Sequence, residues 1–167
     1  MIQSPYHLAE QLGQQLRTCG AKVTVAESCT GGGIAQAITS VPGSSAWFDY
    51  GFVTYSNQAK TRLLGVPESL LQSVGAVSGE VVSAMVAGAV RMAGCSFGAA
   101  VSGIAGPDGG TAEKPVGTVW FAWAHPAGLT SECHWLAGDR AQVREQAVIL
   151  ALTRLVGLVS GYCIKTQ

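Results

Sequence analysis

Two stretches, SFGAAVSGIA at residues 96–105 and VGTVWFAWA at 116–124, are apolar at successive rather than alternate positions. A strand of that kind has no face to show to water and needs cover on both sides. Between them lies GPDGGTAEKP, 106–115. A loop of this length between strands is either functional or disordered, and its N–H groups can form an anion nest. Three further strands are expected: KVTVAE at 22–27, WFDYGFVTYS at 47–56 and TSECHWLA at 130–137, from their β-branched, aromatic or alternating character.

Helical spacing fills the intervals. Leu8, Leu12 and Leu16 recur every four residues and predict a helix over 5–19, stopped by Gly20. GIAQAITSV follows a run of glycines with the same spacing, and NQAKTRLLG reads as a helix opened by an Asn57 cap and closed by Gly65. Pro67 starts a short helix, PESLLQSVG. Ser78 caps a longer one over 79–93, whose inner face runs through Val81, Val82, Met85, Val86, Ala89, Val90 and Ala93. The last helix, 140–159, is capped by Asp139 with Gln142 three residues on, and Val143, Ala147, Leu150, Ala151, Leu155 and Leu158 line it. Helices thus precede, separate and follow about five strands, and a three-layer α/β/α sandwich is the simplest arrangement that covers the two doubly apolar ones. With no repeat or linker in 167 residues, a single domain over 1–167 is expected.

Ten acidic and ten basic side chains leave no excess of cations for phosphate neutralisation, so nucleic acid is not an expected partner. The N-terminus lacks a basic head before an apolar run, and no uninterrupted run approaches the roughly 20 apolar residues of a membrane span. Cys19, Cys29, Cys95, Cys133 and Cys163 are odd in number and scattered, which points to reduced thiols in a cytoplasm rather than a disulfide framework or a zinc site. Only 12% of the residues are charged, so self-association into a homodimer or larger assembly is expected.

The chemistry-bearing stretch is VAESCTGGGIA, Val25 to Ala35, at a strand-to-helix turn. Three readings are open: a plain turn of small residues, a phosphate cradle on the helix N-terminus, or a nucleophile, Ser28, with oxyanion donors among the N–H groups of Cys29 to Gly32. Neither a P-loop ending nor G-x-S-x-G is present. A serine needs a base. His7, on the first helix, His125, before Pro126, and His134, on a strand, are poor candidates, so lysine remains. Lys60 follows the second strand through YSNQAK, and it must be desolvated or set beside a cation such as Arg62 before it can accept a proton. Tyr55 is placed to relay a proton or bond a substrate. Arg140 and Arg144 are natural partners for a phosphate, set against simple solvation or ion pairs with Asp139 or Glu145. Asp108 and Glu113 are too isolated to make a metal site. Cys29 is the rival nucleophile, or else a small buried hydrophobe.

AESCTGGGIA, GFVTYSNQAKTRLLGV, GAVSGEVV, SGIAGPDGGTAEKPVGTVWFAWA and GDRAQVREQA together resemble the CinA C-terminal domain family, from about Lys22 to Leu155. The resemblance implies an α/β/α sandwich with a mixed five-stranded sheet, no metal or cofactor, and hydrolysis of the carboxamide of nicotinamide mononucleotide, a salvage step. It puts the catalytic serine, lysine and tyrosine on Ser28, Lys60 and Tyr55. Substrate binding falls on Thr30, Gly31, Gly32, Ser102, Gly103 and Arg140. Ser102 stands where many relatives carry threonine, with a hydroxyl either way. The nucleotide-processing domain of longer members has no room here, so a pyrophosphatase activity is not expected. A non-catalytic nucleotide-binding module is the alternative from another class.

Overall fold

The computed structural model describes residues 3–165. In chain order the elements are α1 (Pro5–Thr18), β1 (Val23–Glu27), α2 (Gly33–Thr39), a 3-10 turn (Ser44–Ala46), β2 (Phe48–Val53), α3 (Asn57–Leu64), α4 (Glu68–Val74), α5 (Gly79–Ala93), β3 (Phe97–Gly103), β4 (Thr118–His125), β5 (Gly128–Trp135) and α6 (Arg140–Lys165). All five expected strands form, most of them shorter than their apolar stretches.

The sheet order is β2-β1-β3-β4-β5. β1 runs parallel to β2 and β3, whereas β4 and β5 are added antiparallel, so the sheet is mixed. One face carries α1, α2 and α6 over a core of Leu12, Val25, Ile34, Phe97, Phe121, Trp123, Ala147 and Leu155. The opposite face carries α3, α4 and α5 over Ala26, Leu64, Val81, Met85, Ala100 and Ala122. β3 and β4 contribute to both cores, which is why their sequences are apolar at successive positions. The connection from β1 to β2 passes over one face through α2, and the return from β2 across β1 to β3 passes over the other through α3, α4 and α5. In open α/β sheets the crevice at the carboxyl ends of such strands is where ligands bind.

Several local expectations need correction. The cap of α3 is Ser56, whose hydroxyl accepts from the Ala59 N–H at 3.1 Å, and Asn57 is the first helical residue. Cys19, at the end of α1, and Cys163, near the end of α6, are brought together as a candidate disulfide pair, 144 positions apart in the chain, where the sequence suggested no pairing. Cys29, Cys95 and Cys133 are free. The pairing joins the two terminal helices, which no spacing rule connects. By length and composition α6 also passes as a candidate membrane span, because Arg154 interrupts its apolar run without lowering its average much. Here its apolar stripe is a wall of the core, and its Ala151 carbonyl accepts from the Trp123 indole at 3.1 Å. The capping of α6 is as expected. Asp139 Oδ1 accepts from the Gln142 N–H at 2.9 Å while Gln142 Oε1 accepts from the Asp139 N–H at 2.8 Å.

Candidate active site

Ser28 leaves the carboxyl end of β1 and stays tied to the sheet, its N–H donating to the Val101 carbonyl of β3 at 3.1 Å. The chain then turns at once, with the Gly31 N–H returning to the Ser28 carbonyl at 3.0 Å and the Gly33 N–H to that of Thr30 at 3.1 Å. Gly31 and Gly32 have φ of +59° and +99°, a region in which a side chain is strained, and this requires glycine at both positions. The result is a serine hydroxyl 8% exposed, on a short bend between strand and helix.

Glu27, the residue before it, is fully buried and organises the bend from within. Its carboxylate accepts from the Thr30 hydroxyl at 2.6 Å and from the N–H groups of Ile34 and Ala35 at 2.9 and 3.0 Å. The first free N–H groups of α2 are therefore satisfied by a carboxylate of the chain itself. That argues against the phosphate-cradle reading, because an anion arriving there would meet an anion already in place.

Lys60 comes from the first turn of α3 and is 1% exposed. Its Nζ lies 3.0 Å from Ser28 Oγ, 2.9 Å from the Thr54 carbonyl and 3.2 Å from that of Tyr55. Burial lowers its pKa from the ordinary 10.5, and among the described residues no carboxylate forms an ion pair with it. Arg62, considered above as the cation that would do this, lies exposed on α3; desolvation is the cause instead. A neutral amine has two hydrogens and one lone pair. Protonated, Lys60 donates to all three oxygens; in the neutral form the two carbonyls, which can only accept, would take both hydrogens and leave the lone pair for the serine O–H. This is the arrangement required of a general base for an alcohol nucleophile.

The pair lines a cavity of about 220 Å³ together with Cys29, Tyr55, Asn57, Ala76, Val77, Ser102, Gly103, Ala105 and Arg140. Of the residues singled out in the sequence, Ser28, Lys60, Tyr55, Ser102, Gly103 and Arg140 are thus brought together. The Ser102 hydroxyl is 2% exposed at the end of β3. The Tyr55 side chain is 63% exposed at the mouth, and its hydroxyl accepts from Arg140 Nη2 at 3.3 Å. Arg140 Nη1 also donates to the Gly106 carbonyl at 2.8 Å, tying the loop after β3 to the start of α6.

Thr30, Gly31 and Gly32 are not in this lining. Thr30 turns its side chain to Glu27 and borders a separate cavity of about 430 Å³ with Tyr6, Gln36 and Arg144. Arg144 is likewise not held for a phosphate: it donates from Nε to the Cys29 carbonyl at 3.1 Å and from Nη2 to the Thr30 carbonyl at 3.2 Å. Cys29 is buried, and desolvation first, with the Glu27 carboxylate adding to it, raises its thiol pKa to about 11. A thiol held protonated is a poor nucleophile. Sequence reasoning missed Glu27, Asn57 and Val77. A signal for Glu27 was available, since it is the one acidic residue ending an otherwise apolar strand.

The CinA C-terminal domain family matches residues 5–159 of the chain. A nicotinamide-nucleotide amidohydrolase PncC of Pseudomonas putida is 62% identical over 151 residues, covering 90% of this chain and 94% of that protein. One of the same name from Escherichia coli K12 is 54% identical over 151 residues, covering 89% and 90%. Among solved structures, a competence-damaged protein (CinA) superfamily protein from Klebsiella pneumoniae superposes with a TM-score of 0.91 at 36% identity, covering 95% of this chain and 99% of that one. The competence/damage inducible protein CihA from Agrobacterium tumefaciens gives 0.89 at 42% identity, covering 92% and 94%.

Proposed function

The chain belongs to the CinA C-terminal domain family, and from that membership we propose that it hydrolyses the carboxamide of nicotinamide mononucleotide to nicotinate mononucleotide and ammonia, a salvage reaction of pyridine nucleotides. The substrate class comes from relatives named as nicotinamide-nucleotide amidohydrolases at 54–62% identity over most of the chain. The observation that carries the chemistry is the buried Lys60 Nζ, 3.0 Å from Ser28 Oγ with two carbonyls as its other partners.

In this mechanism neutral Lys60 takes the Ser28 proton as Oγ bonds to the carboxamide carbon, and the carbonyl oxygen becomes an oxyanion held by N–H groups of the turn. Lys60 then gives that proton to the amide nitrogen, the C–N bond breaks and ammonia leaves. Water, losing a proton to Lys60, attacks the acyl-serine; the C–Oγ bond breaks, Lys60 returns the proton to Ser28, and the product acid departs, losing its remaining proton to solvent as the carboxylate. Tyr55 and Ser102 offer hydroxyls to the substrate, and Arg140, the guanidinium on the cavity wall, faces its phosphate.

The test is ammonia release by the purified chain from nicotinamide mononucleotide, with and without a chelator, for the wild type and for Ser28→Ala. Activity lost in Ser28→Ala and indifferent to chelator is expected. Saturable binding of the nucleotide without ammonia would instead make the chain a binding module.

A further inference from the structure

We propose that Arg144, through its grip on the turn, is the positioning residue of the oxyanion hole, orienting the Thr30 N–H directly and the Cys29 N–H through the Gly31 bond to the Ser28 carbonyl. The inference rests on Ser28 being the nucleophile and identifies which donors serve it and what holds them.

The starting point is the planarity of the peptide group: in a trans peptide the C=O and the next residue's N–H point in opposite directions, so holding one aims the other. Between Ser28 and Gly31 there are three such planes, and each has its carbonyl held. The Ser28 carbonyl accepts from the Gly31 N–H at 3.0 Å. The Cys29 carbonyl accepts from Arg144 Nε at 3.1 Å, and the Thr30 carbonyl from Arg144 Nη2 at 3.2 Å and from the Gly33 N–H at 3.1 Å. The N–H groups opposite these carbonyls are those of Cys29, Thr30 and Gly31. That of Gly31 is spent on closing the turn, and among the described residues those of Cys29 and Thr30 have no backbone acceptor.

The Cys29 donor is on the side of the reaction, since Cys29 borders the cavity that holds Ser28 and Lys60, whereas Arg144 borders the separate cavity behind the turn, to which the Thr30 side chain also turns. The grip and the nucleophile are therefore on opposite sides of the bend. In a four-residue turn, moreover, the third residue's N–H faces the side chain of the first, as in turns where a serine hydroxyl bonds backbone two residues on; here that pair is Thr30 N–H and Ser28 Oγ. A guanidinium suits the task because its fork meets two carbonyls at once and never loses its charge. A cation bonded to a carbonyl also polarises the peptide, which makes the attached N–H a better donor to a developing anion.

The test separates positioning from folding and from the nucleophile reading. Arg144→Met keeps the aliphatic stem and removes both donors. Removing an oxyanion donor outright costs about 10²–10³ in kcat, so disordering the pair is expected to lower kcat about 10- to 100-fold with KM for nicotinamide mononucleotide within about threefold. Arg144→Lys, with one point donor for two carbonyls, should fall between, and methylguanidine added to Arg144→Ala should restore part of the rate. The decisive measurement uses pyridine-3-boronic acid, which bonds a serine oxygen and imitates the tetrahedral adduct. Its affinity should drop about tenfold or more in Arg144→Met while that of nicotinate mononucleotide is kept. Equal loss of both affinities, or loss of neither, overturns the role of Arg144. A wild type that neither binds the boronate nor releases ammonia overturns Ser28 as nucleophile, and this inference with it.

Discussion

Replacing Lys60 by methionine isolates the base from the packing. The lysine is 1% exposed, and methionine matches its length closely enough to keep the core filled. What disappears is the set of contacts at 3.0 Å to Ser28 Oγ, 2.9 Å to the Thr54 carbonyl and 3.2 Å to the Tyr55 carbonyl. A buried acceptor left unpaired costs about 1–3 kcal/mol. Against that, the variant no longer buries an amine whose charged form is already disfavoured by desolvation. A stability loss of about 1–3 kcal/mol is therefore expected, small enough to leave a folded protein. The catalytic loss is larger, about 10²–10⁴ for a general base, or about 2.7–5.5 kcal/mol of barrier at about 1.36 kcal/mol per factor of ten. Ammonia release from nicotinamide mononucleotide, measured beside thermal melting, reads both. The proposed mechanism makes the neutral amine the active form, so kcat/KM of the wild type should rise with pH through the lowered Lys60 pKa and level off before the ordinary 10.5. Stability should follow the same sign: the folded state binds fewer protons between the two pKa values, so this group's contribution is fullest above 10.5 and shrinks as pH falls toward the folded value. A folded Lys60→Met protein with activity within tenfold of wild type and the same rising limb would refute the assignment.

Cys29→Ala should retain ammonia release within a few-fold, and iodoacetamide should label the wild-type thiol slowly at pH 7, since burial pushes its pKa to about 11; rapid inactivation by alkylation at Cys29 would reinstate it as the nucleophile. Glu27→Gln replaces one acceptor oxygen with a donor facing a hydroxyl or N–H, at about 1–3 kcal/mol for the unpaired group, seen as a lower urea midpoint; an unchanged midpoint would show that the carboxylate does not organise the turn. Gly88→Ala should destabilise by about 1–3 kcal/mol or more, because a β-carbon there runs into the Leu64 backbone where α5 crosses the end of α3; a melting temperature equal to wild type would show that the two helices can separate at little cost.

The layers of the fold were legible because burial leaves a periodic trace: β3 and β4 are apolar on both faces, and α5 and α6 begin where Ser78 and Asp139 stand. Turn glycines located Ser28 at the end of β1 for the same local reason. Lys60 was named from its position, but its burial was not visible, since a lysine at the start of a helix ordinarily faces water. Its partners are main-chain carbonyls of Thr54 and Tyr55, and carbonyls have no sequence signature. Arg144 illustrates the limit from the other side. An arginine one turn into a helix suggests an external anion, and only the folded chain reveals that its acceptors are the Cys29 and Thr30 carbonyls, 115 and 114 residues earlier. The Cys19–Cys163 pairing is hidden likewise by a sequence separation of 144.

The distances along the chain have a bearing on how the protein is made. Ser28 and Lys60 are 32 residues apart, with only α2, the 3-10 turn and β2 between the bend and the helix that bring them together. The arginines that brace the surroundings come from α6, with Arg140 reaching 85 residues back to Tyr55 and Arg144 115 back to Cys29. During synthesis, therefore, the reacting pair leaves the ribosome long before its braces do. A nascent or prematurely terminated polypeptide that lacks α6 carries Ser28 and Lys60 without the arginine contacts to Tyr55 and Cys29 that brace their surroundings.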